Sequence, residues 1–149
     1  MLTNGFQLAV GHPAAPDGCD LLYERLGNRC AVSVWQDRRF GVFGVSVRGR
    51  LEEDLSSAAP LENLAGFLDE MQLRLRVWDL SGLEGIVPPW GVALFARCHS
   101  RFAFRGCENA IVLNPATRPI DAFDRLLPCC PRQRSVADAI LYAYTNQSQ

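Results

Sequence analysis

Lysine is absent from this chain, and all 15 of its basic side chains are arginine. Set against 16 acidic side chains, they leave a formal net charge of -1 and no global pull towards nucleic acid or an anionic membrane. With so much Ala, Gly and Leu, the skew reads as that of a GC-rich bacterial genome rather than as selection for guanidinium chemistry. No apolar run approaches the ~20 residues that span a bilayer, so membrane insertion is not expected. Met1 to Val10 has no basic head and too short an apolar run for a signal peptide, which points to the cytoplasm. Histidine is scarce, with His12 and His99 alone, and this leaves little material for a metal site. The six cysteines include no C-x-x-C pair. Adjacent cysteines such as Cys129 and Cys130 rarely build a zinc site or an easy disulfide, so reduced thiols are expected.

What remains is the composition of one ordinary domain: 149 residues, 48% hydrophobic and 21% charged. Gly5, Gly11, Pro13, Pro16, Gly18 and Gly27 interrupt residues 1–28, which read as an extension in which Asp20 to Leu26 could form a short helix. The compact domain is expected over 29–143 and a polar tail over 144–149. Cys30 to Trp35 and Phe40 to Val47 are β-branched and aromatic, and the polar turn Gln36-Asp37-Arg38-Arg39 between them predicts a hairpin. Leu61, Leu64, Ala65, Leu68 and Met71 then recur at helical spacing. Leu75 to Leu80 reads as a strand. Trp90 to Phe102 reads as a helix, its stripe Val92, Phe95, Ala96 and His99, with Pro88 and Pro89 suited to its first turn. Ala110 to Leu113 is a short strand, and a helix is expected over Pro119 to Leu127. Ser135 and Asp138 stand as in a capping box before a last helix carrying Val136, Ala139, Ile140 and Ala143. The predicted order is β-β-α-β-α-β-α-α, an α/β fold with a mixed sheet of four to five strands and parallel pairs within it.

Three short motifs follow one another along this frame. Val47-Arg48-Gly49-Arg50-Leu51 ends the second predicted strand, Val77-Trp78-Asp79-Leu80-Ser81-Gly82-Leu83 ends the third, and Asn114-Pro115-Ala116-Thr117-Arg118 follows the fourth. Their order resembles the STAS domain, the fold of anti-sigma factor antagonists. In that family a valine-rich strand ends in G-x-L-D, a later strand ends in D-L-S, I-D-S-S-G opens a helix, and N-P-S closes another strand. Gly49 and Leu51, then Asp79, Leu80 and Ser81, match; Glu52 stands where Asp is usual. The resemblance covers residues 29–143 and implies a non-catalytic module that binds a protein such as an anti-sigma factor kinase. One departure stands out. Where the family has its phosphorylatable serine, this chain reads Val87-Pro88-Pro89-Trp90-Gly91, and proline has no hydroxyl. Phosphorylation is therefore not expected there, with Ser81 and Ser100 the off-register substitutes, and the module reads as a constitutive binder or scaffold.

Rival chemistry finds little to stand on. Cys98 and His99 are neighbours on a predicted helix and point about 100° apart, which denies them a thiolate–imidazole pair. No phosphate-binding loop is present, and neither an enzyme nor a cofactor is expected. Arg97, Arg101 and Arg105 recur at four-residue spacing and read as a solvated face, or else as a secondary basic surface meeting an acidic protein rather than nucleic acid. By the family resemblance the partner surface lies at Glu84, Ile86, Pro88, Pro89, Trp90 and Gly91, continued by Val92 and Phe95. There Trp90 would be an apolar anchor on a stiff loop, or else would pack back onto the domain's own core. A homodimer is a further partner expectation. An accessory subunit of a transporter complex and a nucleotide- or lipid-binding sensor are the alternatives.

Overall fold

The computed structural model describes residues 13–27, 29–52, 58–102, 109–118 and 130–146. Among them are five strands, β1 (Cys19–Leu26), β2 (Cys30–Asp37), β3 (Phe43–Gly49), β4 (Val77–Leu80) and β5 (Ala110–Leu113). Three helices join them: α1 (Ala59–Met71), α2 (Pro89–Phe102) and α3 (Val136–Thr145). The strands form one sheet in the order β1-β2-β3-β4-β5. The first two pairings are antiparallel and the last two parallel, so this is a mixed α/β sheet.

Alternation along β2 explains how the sheet carries two cores. Val32 and Val34 point to one face, where Leu61, Leu64 and Leu68 of α1 and Val92, Phe95 and Cys98 of α2 cover them. Trp35 points to the other face with Val77, Ala110 and Val112, under Ala139, Ile140 and Ala143 of α3. Both faces of the central strands are therefore buried, which is why β2 and β3 read as near-continuous apolar runs. The Ser135 hydroxyl accepts a hydrogen bond from the Asp138 N–H at 3.1 Å and starts α3 where the capping pattern places it.

Three local readings change. Cys19–Leu26, which falls within the expected extension where Asp20 to Leu26 could form a short helix, is a strand paired with β2. Further upstream, the Ala14 carbonyl accepts a 2.6 Å hydrogen bond from the Ser33 hydroxyl, which ties that segment to the sheet. Met71, expected on the inner stripe of α1, is exposed, because the helix ends there on a left-handed Gln72 (φ 55°) and Leu73 and Leu75 take over the packing. On α2 the inner residues include Leu94 and Cys98, while Ala96 and His99 are half-buried. The helix expected over 119–127 lies outside the described residues.

Candidate protein-docking groove

The carboxyl ends of parallel strands leave backbone groups that the next segment must satisfy, and here the three sequence motifs do this for one another. Gly49 donates its N–H to the Gly82 carbonyl at 2.9 Å, and Glu84 donates its own to the Gly49 carbonyl at 2.8 Å. Gly49 takes φ +93° to make this turn, and a Cβ at that position would overlap the Arg29 carbonyl oxygen. The third motif joins from the other side. The Thr117 hydroxyl donates to the Leu83 carbonyl at 2.9 Å in a buried bond, and the Val87 N–H donates to the Arg118 carbonyl at 2.7 Å. Asn114 shapes that loop by accepting the Ala116 N–H on its side-chain oxygen at 2.9 Å. Residues 49–52, 81–89 and 114–118 therefore form one stitched surface beyond the ends of β3, β4 and β5, the place where open parallel sheets hold ligands.

Asp79 and Ser81 work inside this surface. Asp79 accepts the Ser81 N–H at 3.1 Å and also the Ser81 hydroxyl proton. Its other oxygen accepts from the Ser46 hydroxyl at 2.8 Å, and Ser46 accepts the buried Trp35 indole N–H at 2.9 Å. The Ser81 hydroxyl is thus engaged in holding the β4 end.

A groove of about 770 Å³ opens on the surface, lined by Arg50, Leu51, Glu52 and the run Glu84 to Pro89. The expected site residues divide within and beneath it. Ile86 stands out with its side chain 75% exposed. Glu84 and Arg50 face each other across the rim at 3.9 Å, both substantially exposed. Pro89 is exposed and opens α2, while Pro88 is buried with its carbonyl accepting the Gly91 and Val92 N–H groups at 2.9 and 3.2 Å. Gly91 is buried under Leu51. Val92 and Phe95 lie in the core, Phe95 edge-on to Trp78 with ring centroids 6.1 Å apart, and neither can meet a partner. Trp90 is half-buried against the same core, and its indole N–H donates to the Glu52 carbonyl at 3.1 Å.

The wall formed by Arg50, Leu51 and Glu52 escaped the sequence reading, although the positive-φ demand of Gly49 within Gly-Arg-Leu carried the signal for it. Arg97 and Arg101 are exposed on α2, Arg101 in an ion pair with Asp69 of α1 at 3.1 Å; Arg105 lies outside the described residues. His99 accepts the Trp78 indole N–H on Nδ1 at 3.1 Å, and burial pushes its pKa below the usual range. Burial raises the Cys98 thiol, so no thiolate is poised beside it. Among the described residues no cluster of His, Cys, Asp and Glu is arranged to hold a metal ion. No helix among them is long and apolar enough to cross a membrane. No protein-family model matches the chain, and no characterised protein shows significant similarity to it.

Proposed function

We propose that this chain is a non-catalytic interaction module of the STAS type, in the reducing cytoplasm, whose groove beyond β3 and β4 receives a regulatory protein such as an anti-sigma factor. The observation that carries this reading is Ile86. A large aliphatic side chain held 75% in solvent, on a loop fixed at both ends by backbone hydrogen bonds, is preorganised for contact and loses little entropy on association. Beside it, the Arg50–Glu84 pair is exposed and contributes only about 0–1 kcal/mol in water, so a partner can open it and exchange its charges. The loop offers no hydroxyl between Ile86 and Gly91, and the nearby Ser81 hydroxyl is already held by Asp79. Binding on this reading is constitutive and controlled by the partner's availability.

The experiment is affinity capture with the full chain, followed by the Ile86→Asp and Arg50→Glu variants against the captured protein. Ile86→Asp should weaken capture by roughly 2 kcal/mol or more while leaving the melting temperature in place. Phosphosite mapping after incubation with that partner and ATP should find nothing on residues 81–91. Capture indifferent to both substitutions would move the partner surface elsewhere.

A further inference from the structure

Six of the eight residues of β1 are exposed, whereas its neighbour β2 is buried almost throughout. Among the described residues no strand pairs with the outer edge of β1. That edge carries three large aliphatic side chains, Leu21, Leu22 and Leu26, at 46, 40 and 43% exposure. Long apolar edges are templates for strand addition unless something restricts them. Here the restriction is a bulge between Leu21 and Tyr23.

The bulge also identifies what fits. At one end the Gly18 carbonyl accepts from the Arg38 N–H at 3.0 Å, and at the other the Gly27 N–H donates to the Cys30 carbonyl at 2.8 Å. Antiparallel ladders alternate, so these bonds and the register set which residues turn their backbone groups inward. Cys19, Leu21, Glu24 and Leu26 are left with C=O directed outward, and all but Cys19, whose N–H donates to the Pro16 carbonyl at 3.1 Å, with N–H outward as well. Their spacing is two, three and two residues, which a regular strand with an unbroken period of two cannot match. A second copy of β1, running antiparallel about a two-fold axis, matches it: Leu21 falls opposite Glu24 of the second copy, and Cys19 opposite its Leu26.

Side chains agree with that register. Cys19, Leu21, Glu24 and Leu26 all lie on the face shared with Trp35 and Ala31, so each opposed pair stands on one face. Leu21 and Leu26 of the second copy become diagonal neighbours, within reach across a pair of strands. On the opposite face Asp20 falls across from Arg25 of the second copy, twice by symmetry, and Leu22 lies across from Tyr23. The phase of the hydrogen bonds, the apolar contacts and the charges select the same alignment. We propose that this edge is a homodimer interface, in which two copies join β1 to β1 and form one continuous ten-stranded sheet.

Sedimentation of the full chain over a range of concentrations should show a monomer–dimer equilibrium. Glu24→Pro removes an outward N–H and spares the ladder to β2, so it should yield a monomer, with a lower melting temperature because the carboxylate paired with the buried Arg48 at 2.6 Å is lost with it. Arg25→Glu sets two carboxylates against each other at both symmetric positions and should weaken the dimer by roughly tenfold. Adding Asp20→Arg to Arg25→Glu should restore it, since the exposed Asp20–Arg38 pair at 2.7 Å contributes little to the monomer fold. A chain that stays monomeric up to millimolar concentration would overturn the proposal. So would a dimer indifferent to the charge reversal, an outcome readable even if Glu24→Pro fails to fold.

Discussion

An indole offers one N–H and a broad apolar face, and Trp90 uses both within its own domain. The N–H is satisfied by Glu52, 38 residues earlier in the chain, and the ring packs on the core shared by α1 and α2. Its role is therefore to bind the 50–52 wall of the groove to the start of α2. Trp90→Ala should lower unfolding stability by roughly 2–4 kcal/mol, through lost packing and the lost hydrogen bond to the Glu52 carbonyl. Trp90→Phe should lose only about 1 kcal/mol, because it keeps the ring contact and gives up the hydrogen bond. Urea unfolding of the two variants beside the parent separates these contributions. A Trp90→Ala protein as stable as the parent would show the ring to be a free anchor instead. Nothing local could reveal the choice, since a tryptophan beside two prolines reads equally as anchor or as strut. The deciding atom is a backbone oxygen distant in sequence. Ile86 was legible for the opposite reason: its neighbours Gly85 and Pro88 already mark a turn.

Elements were legible where one period held along their whole length. β2, β3, β4 and β5 are dense in valine, isoleucine and tryptophan, and α3 announces itself through Ser135 and Asp138. β1 was not legible, and its bulge explains why. Cys19 and Leu21 turn towards the α3 face, but the extra residue shifts the parity, so Tyr23 turns to the other face and stacks on Phe67 at 4.3 Å. Read with a fixed period of two, Cys19, Leu21, Tyr23 and Arg25 share one side and Asp20, Leu22, Glu24 and Leu26 the other, so neither side is uniformly apolar and Tyr23 is placed on the wrong one. The turn after β3 is the counterpart, a place where one residue type determines the geometry. Gly49→Ala adds a Cβ that meets the Arg29 carbonyl oxygen, on a backbone already at φ +93°. Both the end of the β2–β3 hairpin and the hydrogen bonds to residues 82–84 must shift, since Arg50 also donates its N–H to that carbonyl at 2.7 Å. The expected loss is roughly 3 kcal/mol or more, read as a fall in melting temperature with β-sheet content reduced in the far-UV spectrum. An Ala variant that melts with the parent would mean that the turn is adaptable and the groove less rigid than its bonding indicates.

At the scale of the whole molecule, alternation of strands and helices sufficed to predict a mixed sheet, while the two-sided core follows from Trp35 and the valines of β2 facing opposite ways. That architecture leaves cysteine on both sides of the sheet, with Cys30, Cys98 and Cys130 in one core and Cys19 in the other. Burial pushes the Cys30 and Cys130 thiols up to about 12 and Cys19 up to about 11, from an ordinary value of 9.0. Once the chain unfolds, the same thiols lose their protons near the ordinary value. Between pH 9 and 12 the unfolded state thus binds fewer protons than the native state, and stability must fall as pH rises. The contribution is fully present below pH 9 and is lost as pH climbs through the folded values, at roughly 1.4 kcal/mol per pH unit for each thiol. Urea midpoints measured from pH 8 upward should fall along this slope. Cys30→Ala removes a group that titrates only after unfolding, so it should flatten the alkaline limb while lowering the midpoint at pH 8 modestly through its small cavity. At pH 8 the four thiols should also resist alkylation until denaturant is added, which peptide mapping would locate residue by residue. An alkaline limb unchanged in Cys30→Ala would show that this thiol is reached by water in the native state, and the core beneath α1 would then be looser than its burial requires.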